Sequence, residues 1–314
     1  MTPHFSVIMP LYNKVPYVRK AVESVVGQTF VDWELIIVDD CSTDGSADVV
    51  AQITDPRIRL VRLERNGGVG AARNKGVSLS NAPYLCFLDA DDWWDPTFLE
   101  EMAGLIERHP DAGIYGTGYY IVKNGKKRIA PIGIDDSFTE GEINYCKVYA
   151  KNLCMPLTSI TVAIPRAIFE KFEGFPANIK LGEDFLLWIR IALKHKVFFL
   201  NKPLAFYNQD VDVANRGVGH LHKPEAHMLW NLTDMEPIEK NNEDYKRLID
   251  NLRTYVLFPY YLSKKYHEVT KQELDKVDWE KQPCNIRKQF KQPLALLRLK
   301  YAIMRWGAKA KTLI

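Results

Sequence analysis

The sequence predicts an α/β fold, with a mostly parallel sheet flanked by helices and a mainly helical C-terminal region. Over roughly the first hundred residues, short apolar runs rich in β-branched residues alternate with stretches of helical spacing. This alternation is typical of βαβ units, in which successive strands run parallel. From about Lys223 onward the strand-like runs stop and helical spacing dominates.

Four strands are predicted in the first part of the chain, each followed by a helix. They cover residues 5–9, 35–38, 58–63 and 84–88. Ser42 or Thr43 is placed to cap the helix after the second strand. Asp95 is placed to cap the helix after the fourth strand, with Pro96 at the first helical position, where the missing N–H leaves no bond unmade.

Beyond residue 113 the elements are less regular. Asn124-Gly125 lies between apolar flanks, which is a strong signal for a β-hairpin turn. Residues 183–195 have helical spacing, and residues 197–200 form an apolar run typical of a buried strand. We therefore expect one α/β domain over residues 1–222 and a helical region, facing a membrane or a partner, over residues 223–314.

The composition narrows the class of protein. With 314 residues, 46% of them hydrophobic, the chain can bury a large core, and a net charge of +3 does not indicate nucleic-acid binding. The scattered cysteines include no C-x-x-C pair, which favours a reducing compartment over a disulfide framework or a zinc site. No signal peptide is visible and no apolar run reaches the ~18 residues of a membrane span, so we expect a cytoplasmic location.

Residues suited to ligand binding follow all four predicted strands. They are Pro10, Tyr12 and Asn13 after the first strand, Asp39 and Asp40 after the second, Asn66 after the third, and Asp89 and Asp91 after the fourth. Because ligands of open α/β sheets bind at the carboxyl ends of the strands, we expect these residues to form one site. The alternative is that the acids cap the following helices, but Ser42, Thr43 and Asp95 are better placed as caps.

The segment FLDADDWWD, residues 87–95, places four carboxylates directly after an apolar run. Carboxylates this close repel one another unless a cation lies among them, which favours a divalent metal. The sequence has neither G-x-G-x-x-G after the first strand nor G-x-x-x-x-G-K-[ST], so a glycine-rich phosphate loop is not predicted. Two interpretations stay open for Gly67, Gly68 and Gly70, a tight turn that opens a helix and a close approach of ligand to backbone.

Five segments resemble the family 2 glycosyltransferases, which have the Rossmann-like GT-A fold. They are SVIMPLYN (6–13), QTFVDWELIIVDDCSTDGS (28–46), ERNGGVGAARNKG (64–76), YLCFLDADDWWDP (84–96) and GEDFLLWIR (182–190). The resemblance covers roughly residues 4–210, with the segments in the family's order. It implies a glycosyltransferase domain over residues 1–222 that moves a sugar from a nucleoside diphosphate to an acceptor hydroxyl, with inversion at the anomeric carbon.

The resemblance also implies a donor site. In the family's Asp-X-Asp motif the last acid, here Asp91, holds Mn²⁺ or Mg²⁺, which stabilises the departing diphosphate. The positions that match donor contacts are Pro10, Tyr12, Asp40, Asn66, Arg73 and Asp89. Asp40 matches the contact to the base, and we expect uridine there. For Arg73 the alternative is a solvated helix face beside Lys75.

A second acid is implied on the acceptor side. Inversion by single displacement requires a general base on the face opposite the leaving group, and Asp184 is the family match for it. The alternative for Asp184 is the ordinary preference of carboxylates for a helix N-terminus. Glu183 either orients the acceptor or caps the helix, and Trp188 is either the floor of the acceptor site or, more commonly for such a residue, part of the core.

One segment departs from the family pattern. In many relatives, a tyrosine, arginine, variable residue and histidine follow the base, and the histidine can complete the metal shell. The corresponding segment here is YNQDVDVANRGVGHLH, residues 207–222. Asp210, His220 and His222 are therefore alternative third ligands of the metal, and it is also open that none of them binds it.

The C-terminal segment lies outside the resemblance. Residues 286–314 contain eight basic residues and no acid, interleaved with leucines and aromatics. This pattern suits either a helix resting on an anionic membrane surface or a helix packed on the protein with a solvated basic edge. A peripheral position on the inner face of the cell membrane would suit a lipid-linked acceptor.

We therefore expect a transferase of hexosyl or N-acetylhexosaminyl type that uses a UDP-sugar in the synthesis of a surface polysaccharide or a lipid-linked glycan. One alternative is a sugar-1-phosphate nucleotidyltransferase, but residues 10–17 lack the glycine- and arginine-rich loop that such an enzyme usually has. The other is a catalytically inactive membrane-docking scaffold. Four intact acids argue against it, namely Asp40, Asp89, Asp91 and Asp184.

Overall fold

A computed structural model describes residues 2–211 and 221–311, with side chains up to residue 303. The chain forms two compact units, Met1–Thr233 and Asp234–Ile314. The division therefore lies after the residue 222 expected from the sequence. Residues just beyond 222 belong to the first unit because the backbone of Lys180 donates to Ala226 and that of Met228 donates to Leu181.

The first unit is built on one sheet. The described strands are β1 Phe5–Leu11, β2 Trp33–Asp39, β3 Ile58–Arg62, β4 Tyr84–Phe87, β5 Trp93–Trp94, β6 Ile114–Lys123, β7 Lys126–Ile129, β8 Glu140–Ile143, β9 Val162–Pro165 and β10 Val197–Asn208. Their order is β3-β2-β1-β4-β9-β6-β10-β5, with β7 beside β6 and β8 beside β10. Strands β1 to β4 run parallel, and the antiparallel pairs all involve later strands. The predicted fold class is therefore confirmed.

Helices flank this sheet. In the first unit they are α1 Val18–Val26, α2 Ser46–Ala51, α3 Val69–Ser78, α4 Phe98–Arg108, α5 Tyr145–Asn152, α6 Arg166–Lys171 and α7 Glu183–Ala192. Every residue of β1 is buried because β1 lies between β2 and β4 and is covered on both faces. Helix α3 packs so closely on β1 that a Cβ at Gly76 would lie 2.5 Å from Ile8 Cγ2.

The four predicted strands and the predicted hairpin are present. Asn124 and Gly125 both have positive φ, +53° and +68°, as a two-residue turn between β6 and β7 requires. The helix caps differ from the prediction. Helix α2 begins at Ser46, beyond Ser42 and Thr43, and α4 begins at Phe98, so the Asp95 carboxylate holds the turn before the helix by accepting from the Thr97 N–H.

The second unit is helical, as expected for the C-terminal region. Its described helices are α8 Glu236–Asn241, α9 Glu243–Val256, α10 Phe258–Leu262, α11 His267–Leu274, α12 Cys284–Phe290 and α13 Leu294–Lys311. Its interior contains the buried Arg253, whose guanidinium contacts Glu239 at 2.6 Å and Glu273 at 3.3 Å. Among the described residues, no helix is both long enough and apolar enough to cross a membrane.

Candidate active site

The loops that follow β1 and β2 are tied together at the carboxyl edge of the sheet. Asn13 adopts φ +51°, and its side-chain oxygen accepts from the Thr43 N–H at 2.8 Å. Its own N–H donates to Ser42 Oγ at 3.0 Å. The sheet order places β1 between β2 and β4, so the residues that follow these three strands share one edge.

Asp40 holds the glycine-rich turn that precedes α3. Its two carboxylate oxygens accept from the N–H groups of Gly67 and Gly68, at 2.7 and 2.8 Å. Gly68 has φ +88°, a conformation that disfavours any side chain. Asn66 is exposed and donates its side-chain amide to the Asp40 carbonyl at 3.0 Å. Of the two interpretations of these glycines, the tight turn is the one the structure shows.

Pro10 and Tyr12 lie beside this turn at the end of β1. Pro10 is buried within the strand, in register with Val38 of β2. Tyr12, just beyond the strand, has 48% of its surface exposed. A half-exposed aromatic ring next to buried backbone is suited to contact a flat ring such as a nucleobase.

Arg73 joins the loop after β4 to the start of α7. The guanidinium is 3% exposed and donates to Asp89 Oδ1 at 2.7 Å and to Glu183 Oε1 at 2.8 Å. Burial alone would lower the pKa of Arg73, but the charges of Asp89, Glu183 and Asp184 outweigh burial and raise it. The alternative of a solvated helix face is therefore wrong for Arg73.

Asp184 lies at the start of α7, directly after Glu183. One carboxylate oxygen accepts from the Phe185 N–H at 2.7 Å, and Ser159 Oγ lies 3.5 Å from the other. Burial, followed by repulsion from Glu183, raises the pKa of Asp184 to about 7, and Arg73 opposes this shift. A carboxyl group whose pKa lies near neutrality can accept and release a proton at ordinary pH, as a general base must.

Glu183 and Trp188, the other two residues proposed near the acceptor, have surroundings unlike those of Asp184. Glu183 is 8% exposed, and its carboxylate is directed to Arg73. Trp188 is fully buried and packs against Phe87 and Phe175, with ring centroids 6.3 and 5.6 Å away. Because none of its indole reaches the surface, Trp188 belongs to the core and is not the floor of an acceptor site.

Asp89, Asp91 and Asp92 form what we call the acidic cluster. Burial, the largest effect, raises the pKa of Asp91, and the neighbouring Asp89 adds to it while Lys14 opposes it. Asp92 is buried and accepts from the Asn208 N–H at 2.7 Å. Burial, Asp91 and Asp89 together raise its pKa well above the usual range. Burial is therefore the main obstacle to ionising Asp91 and Asp92, and repulsion between the carboxylates adds to it.

The acidic cluster fits a hard divalent cation in its chemistry. Within residues 2–211 and 221–311, no three His, Cys, Asp or Glu side chains are grouped to hold a metal by themselves. Mg²⁺ and similar ions are commonly held by one or two carboxylates together with substrate phosphates. Asp91, with Asp89 beside it, supplies carboxylate oxygens of that kind at the sheet edge.

Of the three proposed third ligands of the metal, Asp210 lines the same cavity as Asp91 and Asp92. The carboxylate of Asp210 accepts from the N–H groups of Asn124 and Gly125, the latter at 2.9 Å, and so fastens the hairpin turn. His222 is partly buried in a segment without regular structure. His220 lies outside the described residues.

Lys14 is a residue of the site that sequence analysis missed. Its Nζ lies 2.6 Å from Asp91 Oδ2. The available signal was its position directly after the PLYN segment, where the chain leaves β1. Nothing local in the sequence indicates that the side chain turns toward a carboxylate 77 positions further along.

The chain is similar in sequence to known proteins. The family model for glycosyl transferase family 2 matches residues 6–170, just over half of the chain. TuaG of Bacillus subtilis, a glycosyltransferase assigned to teichuronic acid biosynthesis, is 34% identical over 65% of this chain and 79% of its own. WfgD of Escherichia coli, by name a UDP-Glc:alpha-D-GlcNAc-diphosphoundecaprenol beta-1,3-glucosyltransferase, is 31% identical over 62% of this chain and 72% of its own.

A solved structure is similar to this chain in fold. S. aureus TarS 1-349, in complex with UDP-GlcNAc, superposes with a TM-score of 0.71 over 88% of this chain and 79% of its own. The sequence identity is 21%, so this likeness concerns the fold. The family match disfavours the nucleotidyltransferase alternative. The chain belongs to glycosyl transferase family 2, and it is a glycosyltransferase of the GT-A fold.

Proposed function

We propose that the protein is an inverting, metal-dependent glycosyltransferase that moves a hexose or N-acetylhexosamine from a UDP-sugar to an acceptor hydroxyl. The observation that carries the proposal is the contact of one buried guanidinium with both sides of the site. Arg73 binds Asp89 of the acidic cluster and Glu183, the neighbour of Asp184. A donor-side acid and a candidate base are thereby fixed near each other although they lie far apart in sequence.

The donor side contributes charge and shape. The exposed ring of Tyr12 lies beside the turn that Asp40 holds and can face the base, while Pro10, two residues earlier, is buried in β1. Asn66 and Arg73 border the same edge. A uridine nucleotide is favoured because TarS is solved with UDP-GlcNAc and WfgD is named for UDP-Glc. Mn²⁺ or Mg²⁺ at Asp91 would supply Lewis-acid stabilisation of the charge that develops on the diphosphate.

The acceptor side contributes the base. The ionised Asp184 takes the proton of the acceptor hydroxyl, and the hydroxyl oxygen forms a bond to the anomeric carbon on the face opposite the diphosphate. The bond between the anomeric carbon and the diphosphate oxygen breaks, and the diphosphate leaves with the electron pair. Glu183 does not face the acceptor in this proposal, since Arg73 holds its carboxylate, and it acts by positioning the start of α7.

The acceptor we favour is a glycan under construction on a lipid carrier, or a surface polysaccharide. The names of WfgD and TuaG support this class of acceptor. Of the two alternatives left open for the C-terminal segment, a helix packed on the protein describes one face of α13. One face packs within its own unit, with Leu297 buried and Arg298 Nε bonded to the Leu262 carbonyl at 2.9 Å.

The other face of α13 exposes apolar side chains. Leu296, Leu299 and Ile303 have 40%, 58% and 62% of their surface exposed, and Lys300 is exposed among them. Their spacing of three and four residues places them in one stripe. We propose that this stripe and the surrounding basic residues rest on the anionic inner face of the cell membrane.

Two experiments test the proposal. A panel of nucleoside diphosphate sugars with Mn²⁺ is screened for binding and hydrolysis, and failure of every UDP-sugar would refute the donor assignment. Asp184→Asn should then keep UDP affinity and lose transfer by roughly 10²- to 10⁴-fold, the usual contribution of a general base. Asp48→Asn, which changes an acid that is 73% exposed in its side chain, is the matched control and should transfer at the parental rate. Loss of UDP binding in Asp184→Asn would place this acid in the donor site.

The membrane proposal is tested by vesicle flotation. Serine at positions 296, 299 and 303 together should release the protein from vesicles rich in phosphatidylglycerol, while donor hydrolysis stays intact. Removing the whole segment is less informative because the buried Leu297 would be lost with it. Vesicles of phosphatidylcholine are the control, and equal binding of parent and variant to anionic vesicles would refute the stripe as the contact.

A further inference from the structure

The cation that contacts Asp91 in this structure is the ammonium of Lys14. The two charged atoms are 2.6 Å apart, and the side chains are only 13% and 18% exposed. Asp89, the other acid of the family motif, is held by a different cation, Arg73. Lys14 thus contacts Asp91, the carboxylate that we propose binds the metal.

The backbone of Lys14 is anchored, so a change in the position of its ammonium requires only rotation about bonds of the side chain. Its N–H donates to Ser46 Oγ at 2.7 Å. Its carbonyl accepts from the N–H groups of Tyr17 and Val18, at 2.9 and 3.0 Å, where α1 begins. The four-carbon stem has several rotatable bonds and can carry the ammonium to another acceptor a few ångströms away.

A metal ion and an ammonium group compete for the same carboxylate. Two positive charges a few ångströms apart repel each other strongly at a site with little water. A nucleoside diphosphate removes this conflict because its phosphate oxygens bring negative charge, so that the metal and the ammonium each have an anion to face.

We infer that Lys14 holds the place of the metal at Asp91 while the donor is absent, and that it moves to the diphosphate when metal and nucleotide bind together. Lys14 would then be a diphosphate ligand and would also make metal binding conditional on the nucleotide. This inference rests on the proposed donor site. It differs from that proposal in predicting how a free metal ion binds.

Binding of Mn²⁺ and UDP, without any sugar transfer, tests the inference. Lys14→Met keeps the length of the stem and removes the charge. The EPR signal of free Mn²⁺ reports metal binding with and without UDP, and calorimetry at saturating Mn²⁺ reports UDP binding. In Lys14→Met, Mn²⁺ alone should bind about 10-fold more tightly than in the parent, and UDP about 10-fold more weakly, since a charge-assisted contact contributes roughly that much.

Three further variants isolate the cause. Lys14→Arg retains the positive charge and should retain the weak binding of Mn²⁺ alone. Lys14→Gln repeats the comparison with a polar side chain, in case methionine disturbs the fold. Lys20→Met is the matched control, because Lys20 and Asp91 line the same cavity, yet its Nζ lies over the Trp93 ring, 3.0 Å from the centroid. It should leave the affinity for Mn²⁺ alone within about 2-fold of the parent, an effect no larger than that of a typical exposed charge.

The outcomes are distinct. Binding of Mn²⁺ alone that is no tighter in Lys14→Met and Lys14→Gln than in the parent would overturn the competition at Asp91. Unchanged UDP affinity in both variants would overturn the move to the diphosphate. A parent protein that binds no nucleoside diphosphate would refute the proposed function instead, and the comparison of Mn²⁺ affinities without nucleotide would still decide the competition.

Discussion

Replacing Arg73 by methionine tests whether a single buried guanidinium joins the two sides of the site. Arg73 is 3% exposed, and its partner Glu183 is 8% exposed. Without the guanidinium, the Glu183 carboxylate remains in a place where little water can solvate it, which typically costs about 3–5 kcal/mol. Loss of the contact with Asp89 adds less to this cost because 32% of the Asp89 side chain is exposed and water screens its charge. We expect Arg73→Met to lower the free energy of unfolding by about 3–5 kcal/mol.

A double-mutant cycle separates lost charge pairing from lost packing. Arg73→Met combined with Glu183→Gln removes both charges, so the double variant should be more stable than Arg73→Met alone, with a coupling energy of about 1–3 kcal/mol. The control is Arg62→Met. Arg62 is 2.6 Å from Asp48, but the two side chains are 56% and 73% exposed. Arg62→Met should therefore lower the free energy of unfolding by less than about 1 kcal/mol.

Equilibrium unfolding in urea, followed by tryptophan fluorescence, measures these differences. Two results would refute the reasoning. One is a cost for Arg73→Met no larger than that of Arg62→Met, which would mean that the burial of the pair carries no energetic weight. The other is a double variant less stable than Arg73→Met, which would mean that Glu183 has no need of the guanidinium.

Four further predictions concern Asp91, Asp184 and Gly182. Asp91→Asn should lose metal-dependent UDP binding and turnover by on the order of 10²-fold, measured by calorimetry and initial rates, and unchanged metal dependence in a folded variant would exclude Asp91 as the ligand. Transfer should fall as the pH drops through about 7, because burial and Glu183 raise the pKa of Asp184 to about 7 and the base is protonated below it; a flat profile from pH 6 to 8 would exclude this base. Stability has the opposite pH dependence: because the pKa of Asp184 lies above its ordinary value of 3.8, the folded state loses stability as the pH rises from about 4 to about 7, and Asp184→Asn should lessen this loss in urea unfolding over that range. Gly182→Ala should destabilise the protein by about 1 kcal/mol or more, because Gly182 has φ +83° and a Cβ there would lie 2.3 Å from Met228 Sδ; an unchanged melting temperature would contradict this.

The elements that could be predicted from the sequence are those determined by residues close together in the chain. Strands β1 and β2 are covered on both faces, so they are almost continuous apolar runs, which are easily recognised in the sequence. The hairpin at Asn124-Gly125 was predictable because its positive φ values demand those residue types. Asp40 and Asp91 could be assigned to one site because the carboxyl ends of neighbouring parallel strands lie on the same edge of a sheet.

Elements that depend on a distant partner gave no local signal. Strand β5 is two residues long and exists through its antiparallel pairing with β10. Strand β9, four residues long, is inserted antiparallel between β4 and β6. Neither length nor composition distinguishes such segments from loops, because a short strand owes its stability to hydrogen bonds with chain that lies elsewhere in the sequence.

By itself, the sequence determined the class of fold and predicted which acids follow the strands at one edge of the sheet, because hydrophobic periodicity and strand ends are local features of the sequence. Only the tertiary structure decided which charged side chains form ion pairs. Lys14 lies 77 residues from Asp91, and Arg73 lies 110 residues from Glu183. The sequence identifies which side chains are charged and therefore need a partner if they are buried. The fold determines which oppositely charged side chain lies close enough to pair with each of them. For the same reason the sequence left two places open for Trp188: it predicts a helix there, and only the packing of α7 decides that the indole lies wholly in the core.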